Sequence, residues 1–457
     1  MRDSTRQSVL FDDLTGKPIT AVFDAALQSS DGGALLLGGV DRQMRLTERL
    51  ASCLGDGRDP EKIDHSFPEM LRQRVFSLAM GYADGNDASR LCADPVLKAL
   101  CEREAVSGDD LASQPTLSRF ENAASARDLV AMGRRLEDTT LAHLARTHRA
   151  PKLVTLDMDP TEDPTHGQQQ FTFFNGYYDS WCYLPAFAFV SFDGDPEQYL
   201  VHARLRPGNA HSLRGAIPTI RRLVLALRRR FPRSRIRVRL DAGYASGRLL
   251  DVLELLGVEY LVAMQGNTIL HRLSAPLTDA ARRLHEEGGG QGDGRVFGDV
   301  LYRADKWSCH RRVIVKAEVL VHPGREPKDN TRFVLSNIRR DPQAAYELYC
   351  GRGDVENRIK ELHHHLEVDR TSCPRFLANQ LRVLLTATAY VLFQEMRRRL
   401  QGTELHRAQV GTLRLYLLKV AARVEETVRR IVFHMPRDYP WSALWRRVAL
   451  SVGAVPT

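Results

Sequence analysis

The chain has 457 residues, enough for about three structural units, and 43% of them are hydrophobic, which allows a sizeable core. Its formal charge of +9 favours an anionic partner such as nucleic acid, although a basic surface without a particular ligand explains the charge equally well. Its seven cysteines contain no C-x-x-C pair, so neither a disulfide framework nor a thiolate zinc cluster is predicted.

Hydropathy along the chain indicates no membrane partner. The first residues, MRDSTRQSVLFDDL, lack the continuous apolar stretch of a signal peptide. No run of 18 apolar residues occurs, so no membrane span is predicted. We therefore expect a cytoplasmic protein with reduced thiols.

Residues 1–150 form the first predicted region, which is mainly helical. Residues 1 to about 25 are polar and irregular, which is typical of a mobile arm. Apolar residues at three- and four-residue spacing predict a helix within 64–84, and Gln114-Pro115-Thr116 marks the start of another. No strand pattern occurs between about 33 and 147.

Residues 151–266 have the pattern of an α/β sheet. Short runs rich in β-formers and bounded by turn residues predict strands in PKLVTLDMDP, YYDSWCYLPAFAFVSFDGD and EQYLVHARLRPGN. A helix, a strand, a second helix and a further strand follow. The predicted order is β-β-β-α-β-α-β, which defines the fold class as α/β.

Residues 267–340 interrupt that order with a β-rich insertion. Three segments, VFGDVLYRADKW, HRRVIVKAEVLVH and TRFVLSNI, have the pattern of antiparallel strands, and GGGQGDGRV at 288–296 predicts a flexible tip. Residues 341–375 contain a further core helix. Residues 376–457 form a helical C-terminal region, with one amphipathic helix from 376 and another over 410–435.

Three acidic residues lie at the ends of predicted strands. Asp157 and Asp159 point to the same side of their strand because side chains alternate with period two, and Asp241 ends another strand. Ligands of open α/β sheets bind at this edge, and acids that meet there require a cation such as a hard divalent metal ion. The alternative for each Asp alone is that it ends a strand because it favours turns.

The helix within 346–366 presents a polar face. Spacings of three and four residues place five side chains on it: Tyr349, Arg352, Glu356, Ile359 and His363. Such a face suits a polar partner, or a solvated helix on which Lys360 pairs with Glu356. The three consecutive histidines, His363 to His365, point about 100° apart and cannot share one metal ion.

Arginines surround the strand that leads to Asp241. They occupy positions 228, 229, 230, 233, 235, 237 and 239. Alternation along a strand sends the last four to one face. That face contacts either DNA or water.

With the acids placed, the pattern resembles the DDE transposases of bacterial insertion sequences, and more narrowly the insertion-sequence 1380 family, a relative of the insertion-sequence 4 group. The D-x-T motif corresponds to Asp159-Pro160-Thr161, followed by H-G-x-Q at 166–169. RLDAGYAS, around Asp241, resembles the second motif. The Y-x2-R-x3-E-x6-K signature is matched through Tyr349, Arg352 and Glu356, but its final lysine is His363 here. The similarity covers most of residues 30–435.

The resemblance implies a ribonuclease-H-like catalytic core with a β-rich insertion, an N-terminal helical DNA-binding region and C-terminal helices. It implies that Asp159, Asp241 and Glu356 are the catalytic acids and hold two Mg²⁺ ions, for which Mn²⁺ can substitute, with Asp157 as the alternative first acid. The side chains expected to bind DNA are Tyr349, Arg352, Lys360 and His363. The expected activity is cleavage of the element's terminal inverted repeats and their joining to target DNA.

Partners and alternatives follow from the same resemblance. The partners are double-stranded DNA of the element ends and of the target, and a second copy of the chain in the end complex. In the insertion, Trp307 either holds a flipped base, as a tryptophan does in one relative, or packs in the core. The alternatives are a non-transposing two-metal nuclease or recombinase and a catalytically inactive DNA-binding regulator.

Overall fold

The computed structural model describes residues 9–11, 19–22, 25–193, 195, 197–288, 294–322 and 325–456. The chain forms two compact units. One contains Met1–Gln43, Gly57–Phe120 and Glu395–Thr457, and the other contains Met44–Asp56 and Glu121–Gln394. Most of the predicted flexible tip, at 289–293, lies outside the described residues.

The N-terminal region is helical between 33 and 147, as predicted. Its helices are α1 (Leu35–Met44), α2 (Leu46–Ala51), α3 (Phe67–Met80), α4 (Ala88–Leu91), α5 (Pro95–Leu100), α6 (Gln114–Ala123) and α7 (Ala126–Thr147). The local signals are those expected: Ser66 caps α3 by accepting a hydrogen bond from Glu69 N, and Gly81 ends it in the left-handed conformation.

Three short strands precede these helices: β1 (Val9–Phe11), β2 (Ile19–Ala21) and β3 (Gln28–Ser29). The first two pair antiparallel. The predicted mobile arm falls largely on residues outside the described ones. In its described part, β1 and β2 are regular, so the prediction of irregular structure is wrong there; Val9 and Phe11 of β1 and Ile19 and Thr20 of β2 are residues that favour strands.

The second unit is built on a mixed eight-stranded sheet. The first five strands are β4 (Leu153–Pro160), β8 (Ala186–Phe192), β9 (Tyr199–Arg204), β10 (Arg235–Leu240) and β11 (Glu259–Met264), with α8 (Ala216–Arg230) and α9 (Gly247–Leu255) between the later ones. Strands β4, β10 and β11 are parallel, whereas β8 and β9 are antiparallel to their neighbours. The predicted order β-β-β-α-β-α-β is confirmed, and the chain is α/β with a mixed sheet.

A second, three-stranded sheet lies between β4 and β8 in the chain. Its strands are β5 (Asp163–Pro164), β6 (Phe173–Asn175) and β7 (Ser180–Tyr183), in the order β5-β7-β6. The segment predicted as one strand over 177–195 is therefore two, β7 and β8, which Leu184-Pro185 separate. Proline cannot donate to a ladder, which explains the break.

The β-rich insertion extends the main sheet. Its strands are β12 (Arg295–Tyr302), β13 (Arg311–Leu320) and β14 (Lys328–Ser336), and β14 pairs with β11, so the sheet order is β12-β13-β14-β11-β10-β4-β8-β9. The prediction missed a 20-residue helix, α10 (Thr268–Glu287), which precedes the strands. Asn267 caps it, and Leu270 and Ala281 bury its inner face.

The two faces of β4 differ in chemistry. Val154, Leu156 and Met158 belong to the main hydrophobic core, in which residues of α8 and α9 are also buried. Side chains of a strand alternate between its faces. Asp157 and Asp159 therefore lie on the other face, as predicted.

The C-terminal region is only partly helical. It contains α13 (Phe376–Arg399), α14 (Val410–Leu413) with one π-helical turn after it, β15 (Ala422–Thr427), β16 (Arg430–His434) and α15 (Ser442–Ser451). The prediction of one helix over 410–435 is wrong beyond 418. Ala422 and Val424 are buried while Arg423 and Glu425 are exposed, an alternation that only a strand satisfies.

Among the described residues, α13 is the one helix long and apolar enough to cross a membrane by length and composition. Inside the protein, 83% of its most apolar 18-residue window is buried. Its apolar side chains thus serve the core.

Candidate active site

Asp159 and Asp241 lie at the same edge of the sheet. Strands β4 and β10 are parallel neighbours, with Met158 opposite Leu240 in the register. Asp241 follows β10 directly, and its Oδ1 accepts a hydrogen bond from Gly243 N over 2.9 Å, which fixes the turn. The strand order thus brings two of the three predicted acids together.

Arg352 joins the third acid to the first. Its Nη1 donates to Asp159 Oδ2 over 2.8 Å, and its Nη2 donates to Glu356 Oε1 over 3.3 Å. Asp159 is nearly buried, whereas the Glu356 side chain is 54% exposed. Two of the three predicted acids therefore bind one guanidinium, with Glu356 at the solvent side.

The helix predicted across 346–366 is broken at this point. α11 (Pro342–Cys350) ends before Arg352, and α12 (Gly353–Leu366) begins after it. A Cβ at Gly351 would lie 2.5 Å from Arg239 Nη1, so a larger residue here would require that guanidinium to shift. The break places Arg352 between two helices.

The site holds more acidic groups than Arg352 neutralises. Burial raises the pKa of Asp159 to about 7, and the charges of Asp241 and Glu356 act in the same direction although Arg352 opposes them. Burial also raises the pKa of Asp241. Crowded carboxylates of this kind favour a cation, because each ionised group disfavours its neighbours.

The donor set suits a hard divalent ion, but the acids are not in ligand positions. Three carboxylates offer the oxygen atoms that Mg²⁺ prefers. However, no group of three or more His, Cys, Asp or Glu within the described part of the chain is arranged to hold a metal ion. Arg352 takes the place of a counterion beside Asp159.

Asp157, the alternative first acid, is already fully engaged. Arg239 lies opposite it in the register and donates from Nε to Oδ1 over 2.7 Å and from Nη2 to Oδ2 over 2.8 Å. The Asp157 side chain is 1% exposed. Both of its oxygens thus point to an arginine of the neighbouring strand.

The arginines before Asp241 pair within the protein. Arg235 and Arg237 bind Glu259 on β11, and Arg239 binds Asp157. Both alternatives for this face, DNA or water, are wrong for Arg237 and Arg239, which are buried. Neighbouring strands supply carboxylates directly opposite these arginines, a relationship that one strand's sequence does not reveal.

Two of the side chains expected to bind DNA differ in their surroundings. Burial raises the pKa of Tyr349, whose hydroxyl lies beside the Arg352 guanidinium near Asp241 and Asp159. Lys360 is exposed on α12. It does not pair with Glu356 as the spacing suggested, because Arg352 does.

His363 is hydrogen-bonded through both ring nitrogens. Nε2 lies 3.1 Å from the hydroxyl of Thr161, and Nδ1 lies 3.1 Å from Asp369 Oδ2. Thr161 belongs to the D-x-T motif that carries Asp159. His363 therefore ties α12 to the segment that follows β4.

A buried acid beside this link was not predicted. Asp163 is fully buried, and the Thr371 hydroxyl lies 3.0 Å from each of its carboxylate oxygens. Burial raises the pKa of Asp163 to about 8. Gln169, from the H-G-x-Q motif, donates to Thr371 O over 2.9 Å. The motif was visible in the sequence, but its partner loop at 369–371 carried no signal.

Trp307 packs inside the second unit. Its ring meets Tyr302 edge-on at 5.5 Å, and the Arg311 guanidinium lies 5.5 Å from its centroid. A Cβ at Gly247 would lie 2.7 Å from its Cδ1, so the ring fills the space beside the start of α9. Of the two predicted roles, these contacts favour packing.

The family described as Transposase DDE domain group 1 matches residues 11–456, and the chain belongs to it. It is a transposase of the DDE class, which in general uses divalent metal ions. No curated protein matches the chain. Among solved structures, it is similar to the piggyBac transposase synaptic complex with hairpin DNA, determined by cryo-electron microscopy, at 12% identity and a TM-score of 0.42; the match covers 84% of this chain and 80% of that chain.

Proposed function

We propose that this transposase binds the terminal inverted repeats of an insertion sequence, cleaves the ends and joins them to target DNA. The observation that carries the proposal is the convergence of Asp159 and Glu356 on Arg352, beside Asp241. Family membership supports the same reaction class. The motifs quoted above favour the insertion-sequence 1380 family and a ribonuclease-H-like core.

Asp159, Asp241 and Glu356 are the proposed ligands of two Mg²⁺ ions, for which Mn²⁺ can substitute. Such ions supply activation of the attacking oxygen and charge stabilisation at the leaving oxygen. Asp159 and Asp241 are pre-positioned by adjacent strands, whereas the exposed Glu356 can approach from α12. Because Arg352 binds Asp159 and Glu356, a cation can bind these acids only if the hydrogen bonds from the Arg352 guanidinium break.

Asp159 is the proposed first acid. The alternative, Asp157, has both oxygens bonded to Arg239, and a ligand role would leave that arginine buried without a carboxylate partner. Asp159 has one oxygen bonded to Arg352 and charged neighbours that a cation would relieve. We therefore assign Asp157 to holding β4 and β10 together.

The residues proposed to bind DNA phosphates act from different positions. Lys360 is exposed and needs no rearrangement, and Tyr349 and Arg352 lie at the acids themselves. An arginine released from Asp159 can bind a phosphate through two hydrogen bonds. His363 contacts a phosphate only if it leaves Thr161 or Asp369, so its proposed role is the less direct one.

The proposed partners are double-stranded DNA of the element ends and of the target, with two copies of the chain joining two ends. The test is incubation of the purified protein with end-labelled DNA carrying candidate element termini and Mg²⁺. Nicks at the termini and joined products support transposition. Cleavage without joined products favours the alternative of a non-transposing nuclease.

Single variants decide which acids act. Asp159→Asn, Asp241→Asn and Glu356→Gln should abolish cleavage while leaving DNA binding within about twofold, because each removes a charge without removing bulk. Glu347→Gln, an exposed acid on α11, is the matched control and should cleave normally. Full activity in Asp241→Asn would refute the proposed site.

A further inference from the structure

A cavity lies apart from the three acids, in the same compact unit of the chain. Its volume is about 810 Å³, and its walls come from α7, the end of β9, the start of α8 and the first turn of α13. This volume is in the range of small-molecule sites. A DNA duplex is too wide for it, but an unpaired segment of one strand is not.

The cavity is strongly basic. Five arginines line it: Arg134, Arg204, Arg206, Arg214 and Arg222. The one acid in the described lining, Glu137, accepts two hydrogen bonds from Arg222, and its Oε1 lies 2.7 Å from His202 Nδ1. The exposed Arg134, Arg204 and Arg214 form no ion pair with any described residue. Positive charge without internal partners indicates an anionic ligand.

Two deeply buried side chains in the lining carry unpartnered nitrogens. Arg206 is 4% exposed and His202 is 6% exposed. Arg206 Nη2 and His202 Nε2 have no hydrogen-bond partner among the described residues. Both nitrogens are closed to solvent, so these two side chains form part of the cavity wall, and the exposed Arg134, Arg204 and Arg214 are the cations open to a ligand.

Aromatic rings lie at the same cavity. Phe171 is 56% exposed and meets Phe376 edge-on at 5.4 Å, and Phe173 is also exposed. Phe171 has a φ of 64°, in the left-handed region that bulky residues rarely adopt. Strained residues of this kind cluster at ligand sites. The strain keeps a large flat ring at the solvent-facing part of the lining.

We propose that this cavity binds one or two unpaired nucleotides of a DNA strand. The phosphates lie against the exposed Arg204 and Arg214, and a base stacks on Phe171. Basic grooves with aromatic platforms bind single strands in this way, with little sequence preference. The inference rests on the proposed function in one respect: the bound strand is DNA.

The cavity connects to the acids through one loop. Arg206 Nη1 donates to Ser212 O over 3.1 Å, and Ser212 packs against Gly243 in the turn that holds Asp241. Arg206, which lines the cavity, is thus bonded to a segment that contacts the Asp241 turn. The site fits a strand that has separated from its complement next to the acids.

The test measures binding of fluorescein-labelled oligothymidine by anisotropy, using the full chain without metal ions so that no cleavage occurs. Phe171→Ala should weaken binding at least about fivefold, the loss of one stacked base. Arg204→Ala with Arg214→Ala should weaken it more and lower the slope of log affinity against log salt by about 0.7 for each lost phosphate contact. Arg229→Ala, an exposed arginine on α8 outside the cavity, is the matched control.

Additional measurements distinguish base stacking from misfolding and from simple anion binding. Phe171→Trp keeps a flat ring and should retain affinity, which distinguishes stacking from misfolding. If an abasic oligonucleotide binds as tightly as oligothymidine and Phe171→Ala has no effect, the cavity is a simple anion site and the proposal is wrong. Preferential binding of an acidic peptide, or equal losses in Arg229→Ala, would overturn it as well.

The inference and the proposed function can fail separately. If element ends are not cleaved but oligothymidine binding depends on Phe171, the cavity assignment stands and the transposition scheme falls. If the ends are cleaved and Phe171→Ala binds oligothymidine normally, the reverse holds.

Discussion

Arg239 binds Asp157 through two parallel hydrogen bonds of 2.7 and 2.8 Å between neighbouring strands. Arg239 Nη1 also donates to Leu348 O, over 3.1 Å, so the same arginine fastens α11 to the sheet. Asp159, two residues further along β4, has one hydrogen bond to an arginine from the helix break. Two acids on one face of one strand thus have different environments.

This difference predicts different consequences of mutation. Asp157→Asn leaves Arg239 buried with a weaker partner and should destabilise the protein by about 3–5 kcal/mol, the usual cost of breaking a buried ion pair. Asp159→Asn should change stability much less, since burial already disfavours its charge, but should abolish cleavage. Urea unfolding and end cleavage are the two measurements. Intact stability in Asp157→Asn together with lost cleavage would reverse the two assignments.

Arg352 should compete with divalent ions for the acids. Arg352→Ala removes the guanidinium that binds Asp159 and Glu356, so the carboxylates repel one another and a cation is bound more readily. We expect lower thermal stability without metal and an apparent Mg²⁺ affinity about tenfold tighter, or about 1.4 kcal/mol.

Thermal shifts measured across a Mg²⁺ titration give both quantities. Arg352→Lys, which keeps the positive charge, is the control and should resemble the natural protein. An unchanged Mg²⁺ affinity in Arg352→Ala would show that the guanidinium does not occupy the cation's place. Cleavage should be lost in Arg352→Ala in either case, because the proposed DNA contact is lost.

The sequence predicted that Asp159 and Asp241 lie at strand ends because the signals of those strands are local. Asp159 and Asp241 each end a strand with clear alternation, and parallel neighbouring strands place such ends together. The order of strands and helices followed from the same periodicities. These features depend on residues within a few positions of one another.

The partners of those acids were beyond sequence reasoning because they come from distant segments. Arg239 meets Asp157 only when β10 lies beside β4, and Asp369 meets His363 only after α12 ends in a tight turn. The pattern over 422–434 predicts a helix, whereas the structure has a hairpin, because its arginines and valines fit both the helical and the strand period over a short stretch. Burial, which decides between the periods, is not visible in the pattern.

His363 should act through Thr161 and Asp369. If so, Thr161→Val and His363→Ala weaken cleavage by similar factors, and the double variant is hardly worse than either single variant. In unfolding measurements the two substitutions should show a coupling energy of about 1 kcal/mol. If His363 binds phosphate instead, His363→Ala alone lowers DNA affinity and its salt dependence, and His363→Lys restores both. Anisotropy with duplex end DNA, alongside cleavage rates, separates the two roles.

Asp163 should make stability depend on pH in an unusual direction. Burial raises its pKa to about 8, although the hydroxyl that Thr371 donates to the carboxyl, 3.0 Å from both oxygens, opposes this shift. An unfolded Asp has a pKa of about 3.9, so between about pH 4 and 8 the folded state retains a proton that the unfolded state releases. The titration of Asp163 therefore lowers the free energy of unfolding as pH rises through that window, and its contribution is constant above it.

Asp163→Asn keeps the shape of the side chain and cannot ionise, so its melting temperature should fall less than that of the natural protein between pH 5 and 8. Glu347→Gln, an exposed acid, should follow the natural protein. Parallel melting profiles for Asp163→Asn and the natural protein would mean that Asp163 is ionised in the fold.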